Sequence, residues 1–182
     1  LSLVGSEMCI RDRMWVRPTT AMNTTKYLLD MRTSGAAEIN SPSLYFDSGN
    51  LKYKINGTDV ISGAHGMSAN TWYHIALTRT SQILKLWVNG SQVGSDYTDA
   101  NTYRERKMTI GAEWNGGNNY VGYIDNIVFY GGESKYTSSF TPSTLFPTST
   151  TGITFSMSNE LPIIMSNNCL LYTSDAADDS GC

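Results

Sequence analysis

Hydrophobic and polar positions alternate along this chain in short runs, broken roughly every ten residues by Gly, Asn, Pro or Ser, the pattern of a sandwich or barrel. No long stretch keeps a helical period between caps. The runs predict strands at Met14–Arg17, Lys26–Arg32, Leu44–Phe46, Leu51–Ile55, Asp59–Ile61, Trp72–Thr80, Gln82–Val88, Ser91–Gly94, Met108–Ala112 and Tyr120–Tyr130. Ile153–Met157 reads as a closing strand. Asn56-Gly57 and Asn89-Gly90 supply the positive φ angles of two-residue hairpin turns. In Tyr120–Tyr130 the apolar Ile124 and Ile127 are three apart, which breaks the period of two and predicts a bulge at Asp125-Asn126.

The clearest pair is Trp72–Thr80 with Gln82–Val88. A turn at Thr80-Ser81 would set Arg79 opposite Gln82, Leu77 opposite Leu84, Ile75 opposite Leu86 and Tyr73 opposite Val88. Those apolar pairs define a core face, and a slip of one residue would invert it. The other face would carry Trp72, His74 and Trp87.

Composition narrows the function. The chain has 182 residues, 40% hydrophobic and 16% charged, with a formal charge of −3. That size suits one domain with a sizeable core. The charge excludes a strongly cationic surface and with it nucleic acid as a partner. No apolar run approaches the ~18 residues of a spanning helix, so no membrane insertion is expected.

The ends read differently from the middle. The three cysteines lie at Cys9, Cys169 and Cys182. The string ATGTGTATAAGAGACA encodes Met8-Cys9-Ile10-Arg11-Asp12, and its reverse complement encodes Cys169-Leu170-Leu171-Tyr172-Thr173. Both ends thus resemble one transposase-type sequencing adapter in inverted orientation. Residues 1–13 and 169–182 are therefore expected to be adapter-derived, with no disulfide between them and targeting signals unreadable. The remaining segment carries equal numbers of basic and acidic residues. It divides into a domain at 14–146 and a Ser/Thr-rich linker with its closing strand at 147–168.

Five blocks carry a family resemblance. They are Trp15-Val16-Arg17-Pro18, Trp72-Tyr73-His74-Ile75-Ala76-Leu77-Thr78-Arg79, Leu84-Lys85-Leu86-Trp87-Val88-Asn89-Gly90, Ile110-Gly111 and Gly122-Tyr123-Ile124-Asp125-Asn126-Ile127. In order and spacing they resemble the laminin-G-like domain of the concanavalin A-like lectin superfamily. The resemblance implies an all-β fold, a two-sheet antiparallel jelly-roll sandwich. It also implies one or two strands before Trp15, so that their replacement by adapter would leave an open edge and a less stable domain. Lys135-Tyr136-Thr137-Ser138-Ser139-Phe140-Thr141-Pro142 resembles the tail of copies in phage and marine viral structural proteins.

The sequence offers little chemistry. Hydrolases of that superfamily use paired carboxylates on one strand; here Tyr123–Phe129 holds only Asp125, and no Glu-x-Asp motif occurs. Asp125 reads as structural, accepting a backbone N–H at the bulge. His74 has no neighbour for a triad and reads as a ring beside Trp87; His65, in a Gly-rich loop, reads as solvated. For a ligand, Trp114 with Asn115, Asn118 and Asn119 forms one candidate platform, and Trp87, Trp72 and His74 on the non-core face of the strand pair another. Calcium takes six to eight oxygens; Asp96, Asp99 and Asn101 in one loop and Glu113 in another are candidates, against the ordinary use of Asp and Asn in turns.

The expected function is non-enzymatic: a recognition or structural module of a larger extracellular or virion-surface protein with further domains. A phage tail or receptor-binding appendage attaching to glycan or another host-surface component leads. A carbohydrate-binding or adhesion domain of a secreted bacterial protein is the alternative, and a glycoside hydrolase stands behind both.

Overall fold

The computed structural model describes residues 10–35, 40–101, 103, 108–131, 136–143, 153–157 and 163–165. Residues 1–9 and 169–182, most of 147–168, and Lys135 lie outside them.

In chain order the strands are β1 (Ile10–Pro18), β2 (Lys26–Asp30), β3 (Ser43–Asp47), β4 (Asn50–Ile55), β5 (Thr58–Ala64) and β6 (Tyr73–Thr80). They continue as β7 (Ile83–Val88), β8 (Ser91–Thr98), β9 (Met108–Ile110), β10 (Gly122–Gly131), β11 (Ile153–Met157) and β12 (Ile163–Met165). Among the described residues two six-stranded sheets result, ordered β11-β10-β1-β6-β7-β8 and β12-β9-β2-β3-β4-β5. Every strand pair is antiparallel, and the architecture is the expected jelly-roll sandwich.

The sheets bury their facing sides together. The first contributes Met14, Val16, Ile75, Leu77, Leu84, Leu86 and Ile127; the second contributes Leu28, Leu44, Phe46, Leu51, Ile61 and Ile110. Burying aliphatic groups of this size stabilises by about 1.5–3 kcal/mol each. Near the sandwich edge β5 and β8 come so close that a Cβ on Gly63 would stand 2.7 Å from the Gly94 nitrogen.

The hairpins at Asn56-Gly57 and Asn89-Gly90 form with positive φ at both central residues. The β10 bulge forms where expected: the four residues from Asp125 to Val128 oppose the three from Trp15 to Arg13. Asn126 takes φ +50° there, and its N–H donates to Asp125 Oδ1 at 2.6 Å. Ile153–Met157 closes against β10, as expected.

The β6–β7 register differs from expectation. The turn is Ser81-Gln82, so Thr80 faces Ile83, Arg79 faces Leu84, Leu77 faces Leu86, Ala76 faces Trp87 and Ile75 faces Val88. The shift is two residues, one full side-chain period, so the faces are unchanged. Arg79 consequently ends the inner face, 7% exposed, with Asp99 Oδ2 3.7 Å from its Nη1 and the Tyr103 ring 5.7 Å away.

β1 also starts earlier than expected. Its backbone from Ile10 pairs with β10 on one side, and from Arg11 with β6 on the other, making it an interior strand. Ladder hydrogen bonds are made by backbone, so those residues join the sheet whatever their origin.

Candidate functional site

The outer face of the first sheet is divided by a strap, residues 136–143. Phe140 donates its N–H to the Gly90 carbonyl at 3.1 Å and stacks on Tyr136 at 3.7 Å. Beneath these rings lie His74 and Trp87. His74 is fully buried, with Trp15 at 5.3 Å, Phe140 at 5.7 Å and Tyr136 at 6.2 Å, all edge to face. Trp87 is 1% exposed, its Nε1 donates to Thr78 Oγ1 at 2.9 Å, and Phe140 lies 5.7 Å from its ring. The expectation that Trp87 and His74 form an accessible platform is corrected: the strap occupies the surface a ligand would use. Both His74 nitrogens lack a hydrogen-bond partner among the described residues. Burial, helped by the Arg13 charge, pushes its pKa down to about 4.

Beyond the strap the same face is open. Trp72 is 41% exposed, the largest exposed apolar side chain among the described residues. Its ring lies 6.5 Å from that of Tyr123, which belongs to β10. Arg17, on the strand between, sits opposite Tyr123 with its guanidinium carbon 5.5 Å from the Tyr123 ring. Backbone bonds fix this row. Asn70 N–H donates to the Pro18 carbonyl at 2.6 Å, Arg17 Nε donates to the Asn70 carbonyl at 3.2 Å, and Thr19 N–H donates to the Val121 carbonyl at 3.0 Å. Gly122 lets β1 and β10 meet here, because a Cβ at that position would run into the Arg17 carbonyl oxygen. Outward direction on alternate strand positions was legible for Trp72; its pairing with Tyr123 and Arg17 was not, since it needs the β10-β1-β6 order.

The Trp114 loop lies against the other sheet. Asp30, fully buried, accepts from Arg32 Nη2 at 2.6 Å, Ser43 Oγ at 2.9 Å and Trp114 N–H at 3.0 Å. Arg32 Nη2 also reaches Glu113 Oε1 at 3.0 Å. Burial alone would lower the Arg32 pKa, but the Asp30 and Glu113 carboxylates outweigh it and hold the guanidinium charged. Trp114 is half-buried; Asn115, Asn118 and Asn119 are exposed. Their amides hold the loop: Asn115 Oδ1 accepts from Gly117 N–H at 2.8 Å, and Asn118 Nδ2 donates to Glu113 Oε2 at 2.7 Å.

The calcium candidates do not converge. Asp96 is exposed on β8, where Gln92 Nε2 donates to it at 2.7 Å and Lys85 stands at 3.3 Å. Asp99 is fully buried and accepts from Asn101 Nδ2 at 2.7 Å and Tyr103 Oη at 2.7 Å. Glu113 belongs to the Arg32 network. Among the described residues no three His, Cys, Asp or Glu side chains gather as a metal set. The carboxylates that suggested a cation site are taken up by internal donors.

His65 is likewise corrected from solvated to buried. Its ring meets Phe46 edge to face at 5.2 Å, its Nδ1 accepts from Met67 N–H at 2.9 Å, and burial lowers its pKa. Among the described residues no helix is long and apolar enough to cross a membrane.

A family model described as Laminin_G_3, concanavalin A-like lectin/glucanases superfamily, matches residues 13–135. No curated protein matches the chain. Domains LG4-5 of the mouse laminin alpha1 chain are similar in structure: 14% identity, TM-score 0.53, 79% of this chain and 41% of that one. CBM40 of the Ruminococcus gnavus IT-sialidase gives 12% identity and TM-score 0.50 over 64% of this chain and 72% of that one. The enzymatically active domain of bacteriophage CBA120 tailspike protein 2 gives 14% and 0.54 over 70% and 23%. The chain thus spans about two-fifths of the laminin fragment and about a quarter of the tailspike domain. At these identities the likeness is one of fold.

Proposed function

We propose a function from one premise: the chain belongs to the Laminin_G_3 family of the concanavalin A-like lectin/glucanases superfamily. Within it, this domain is a non-enzymatic module that binds glycan on a surface outside the cell. One observation carries the reading: the exposed Trp72, paired with Tyr123 and flanked by Arg17, forms a fixed aromatic shelf on an open sheet face. The C–H face of a sugar ring gains by leaving water against such a shelf, while its hydroxyls stay solvated.

Glycoside cleavage needs two carboxyls across a sugar bond. Asp30, Asp99 and Glu113 are instead bound to internal donors, and Asp125 accepts at the bulge. Two of the similar folds support the setting: CBM40 is known in complex with alpha2,3 sialyllactose, and tailspike protein 2 belongs to a phage. We extend the reading to an appendage of a virion-surface or other extracellular protein, with a secreted bacterial adhesion domain as the second version.

The test is a glycan array with the full chain, followed by titration of each hit against Trp72→Ala and Trp114→Ala. A hit weakened at least tenfold by Trp72→Ala alone supports this shelf. A hit weakened by Trp114→Ala alone moves the site to the Asn115–Asn119 loop. Absence of any hit overturns the glycan reading.

A further inference from the structure

Arg17 sets the charge of the occupant. Resting on the glycan reading above, we propose that the Trp72–Tyr123 shelf selects a sugar ring bearing a carboxylate, which Arg17 receives.

The ion pairs among the described residues account for five of the other cations. Arg32 is held by Asp30 and Glu113, Lys52 by Asp47 and Asp59, Lys54 by Asp59, Arg79 by Asp99 and Lys85 by Asp96. Arg17, Lys26 and Arg13 have no carboxylate within ion-pair distance among the described residues. Arg13 is 6% exposed and so withdrawn from ligand. Lys26 makes no aromatic contact among the described residues. Among the described side chains Arg17 alone joins an uncompensated charge to an exposed aromatic shelf.

Its geometry leaves the terminal nitrogens to a ligand. Nε is spent on the Asn70 carbonyl at 3.2 Å, and the Tyr123 ring backs the guanidinium at 5.5 Å. Those two contacts hold the planar group in one orientation. Neither terminal nitrogen has a hydrogen bond among the described residues. A carboxylate matches a guanidinium in shape and charge, with two parallel N–H···O bonds available where both terminal nitrogens are reached. The neighbouring Trp72 ring would then carry the sugar to which that carboxylate is attached. A neutral sugar would cover the aromatic surface and leave the charge unmatched, so the anion is the better occupant.

Two matched pairs of probes separate charge from shape. Trigalacturonate is compared with its methyl ester, and alpha2,3 sialyllactose with lactose, by calorimetric titration of the full chain. The acid of at least one pair is expected to bind tenfold or more tighter than its neutral partner, with the advantage shrinking as salt is raised. Arg17→Gln is expected to abolish that advantage while leaving the melting temperature within a few degrees; Trp72→Ala is expected to weaken both members. Equal binding of acid and neutral partner in both pairs overturns the inference, as does an Arg17→Gln protein that still discriminates. If a neutral glycan depends on Trp72 and not on Arg17, the glycan reading stands and this one falls. If no probe binds and the array also gives no hit, both fall. If the array gives only neutral hits, the inference alone falls.

Discussion

The Phe140 carbonyl oxygen occupies the space that a side chain on Gly90 would need. The contact is between backbones, because Phe140 N–H in turn donates to the Gly90 carbonyl at 3.1 Å. Gly90 also has φ +78°, a conformation that a Cβ disfavours by roughly 1–2 kcal/mol. Gly90→Ala is therefore expected to lower stability by more than the backbone term alone and to lift the strap from Trp87. Urea unfolding gives the first quantity, and hydrogen exchange of the Phe140 amide gives the second. Unchanged protection of that amide would show that the strap is not held at this point.

His74 makes stability depend on pH. Its ordinary pKa near 6.5 in the unfolded chain falls to about 4 in the fold, through burial first and the Arg13 charge second. The unfolded state therefore binds more protons between those values. The stabilising contribution is complete above pH 6.5, declines as pH falls, and is gone below about 4, a loss of roughly 3 kcal/mol. His65 shifts in the same direction through burial and adds to the slope. His74→Phe keeps a ring within the Trp15, Tyr136 and Phe140 box and removes two unpaired polar atoms. Denaturant midpoints from pH 7.5 to 4 should fall less steeply for the variant, and parallel curves would contradict the assignment.

The Asp30–Arg32–Glu113 network ties the Trp114 loop to the second sheet. Asp30 receives the Arg32 side chain, Ser43 and the Trp114 backbone. Asp30→Asn keeps the volume but leaves the buried Arg32 with Glu113 alone, which should cost about 3–5 kcal/mol. Adding Arg32→Met to Asp30→Asn should recover part of that loss, because the stranded charge is then removed. Urea midpoints for the two single variants and the double variant complete the cycle. Equal losses in Asp30→Asn and the double variant would show that the stranded charge is not what matters.

Alternation alone identified most strands and both faces of β6 and β7, because side-chain direction is a local property of a pleated chain. The pairing partner is not local. Shifting β7 by two residues keeps Leu84 and Leu86 inward, so the apolar pattern cannot distinguish Leu77 opposite Leu84 from Leu77 opposite Leu86. Likewise the pattern put Trp72, His74 and Trp87 on one outer face, but the two fates of that face depend on a distant segment. Tyr136 and Phe140 return to cover part of it, but in a Ser/Thr-rich stretch without strand alternation their spacing names no partner. The Trp72–Tyr123–Arg17 row needed strand order, which no residue spacing records. Asp99 and Glu113 show the converse limit: a carboxylate in a polar loop looks free until its donors Tyr103, Asn118 and Arg32 are placed around it.

The β6–β7 turn can be tested for both register and strain. Ser81 has φ +46° and Gln82 φ +68°, so both central residues take conformations that suit Asn and Gly. Replacing the pair by Ser81→Asn with Gln82→Gly should stabilise the domain by about 1 kcal/mol or more, through relief of left-handed strain at two side-chain-bearing positions. With a turn at Thr80-Ser81, residue 82 would instead begin the strand. Glycine there would cost roughly 0.5–1 kcal/mol in added chain entropy. The two registers thus predict opposite signs for one variant. A rise in the urea midpoint supports Thr80 opposite Ile83; a fall restores the pairing of Arg79 with Gln82.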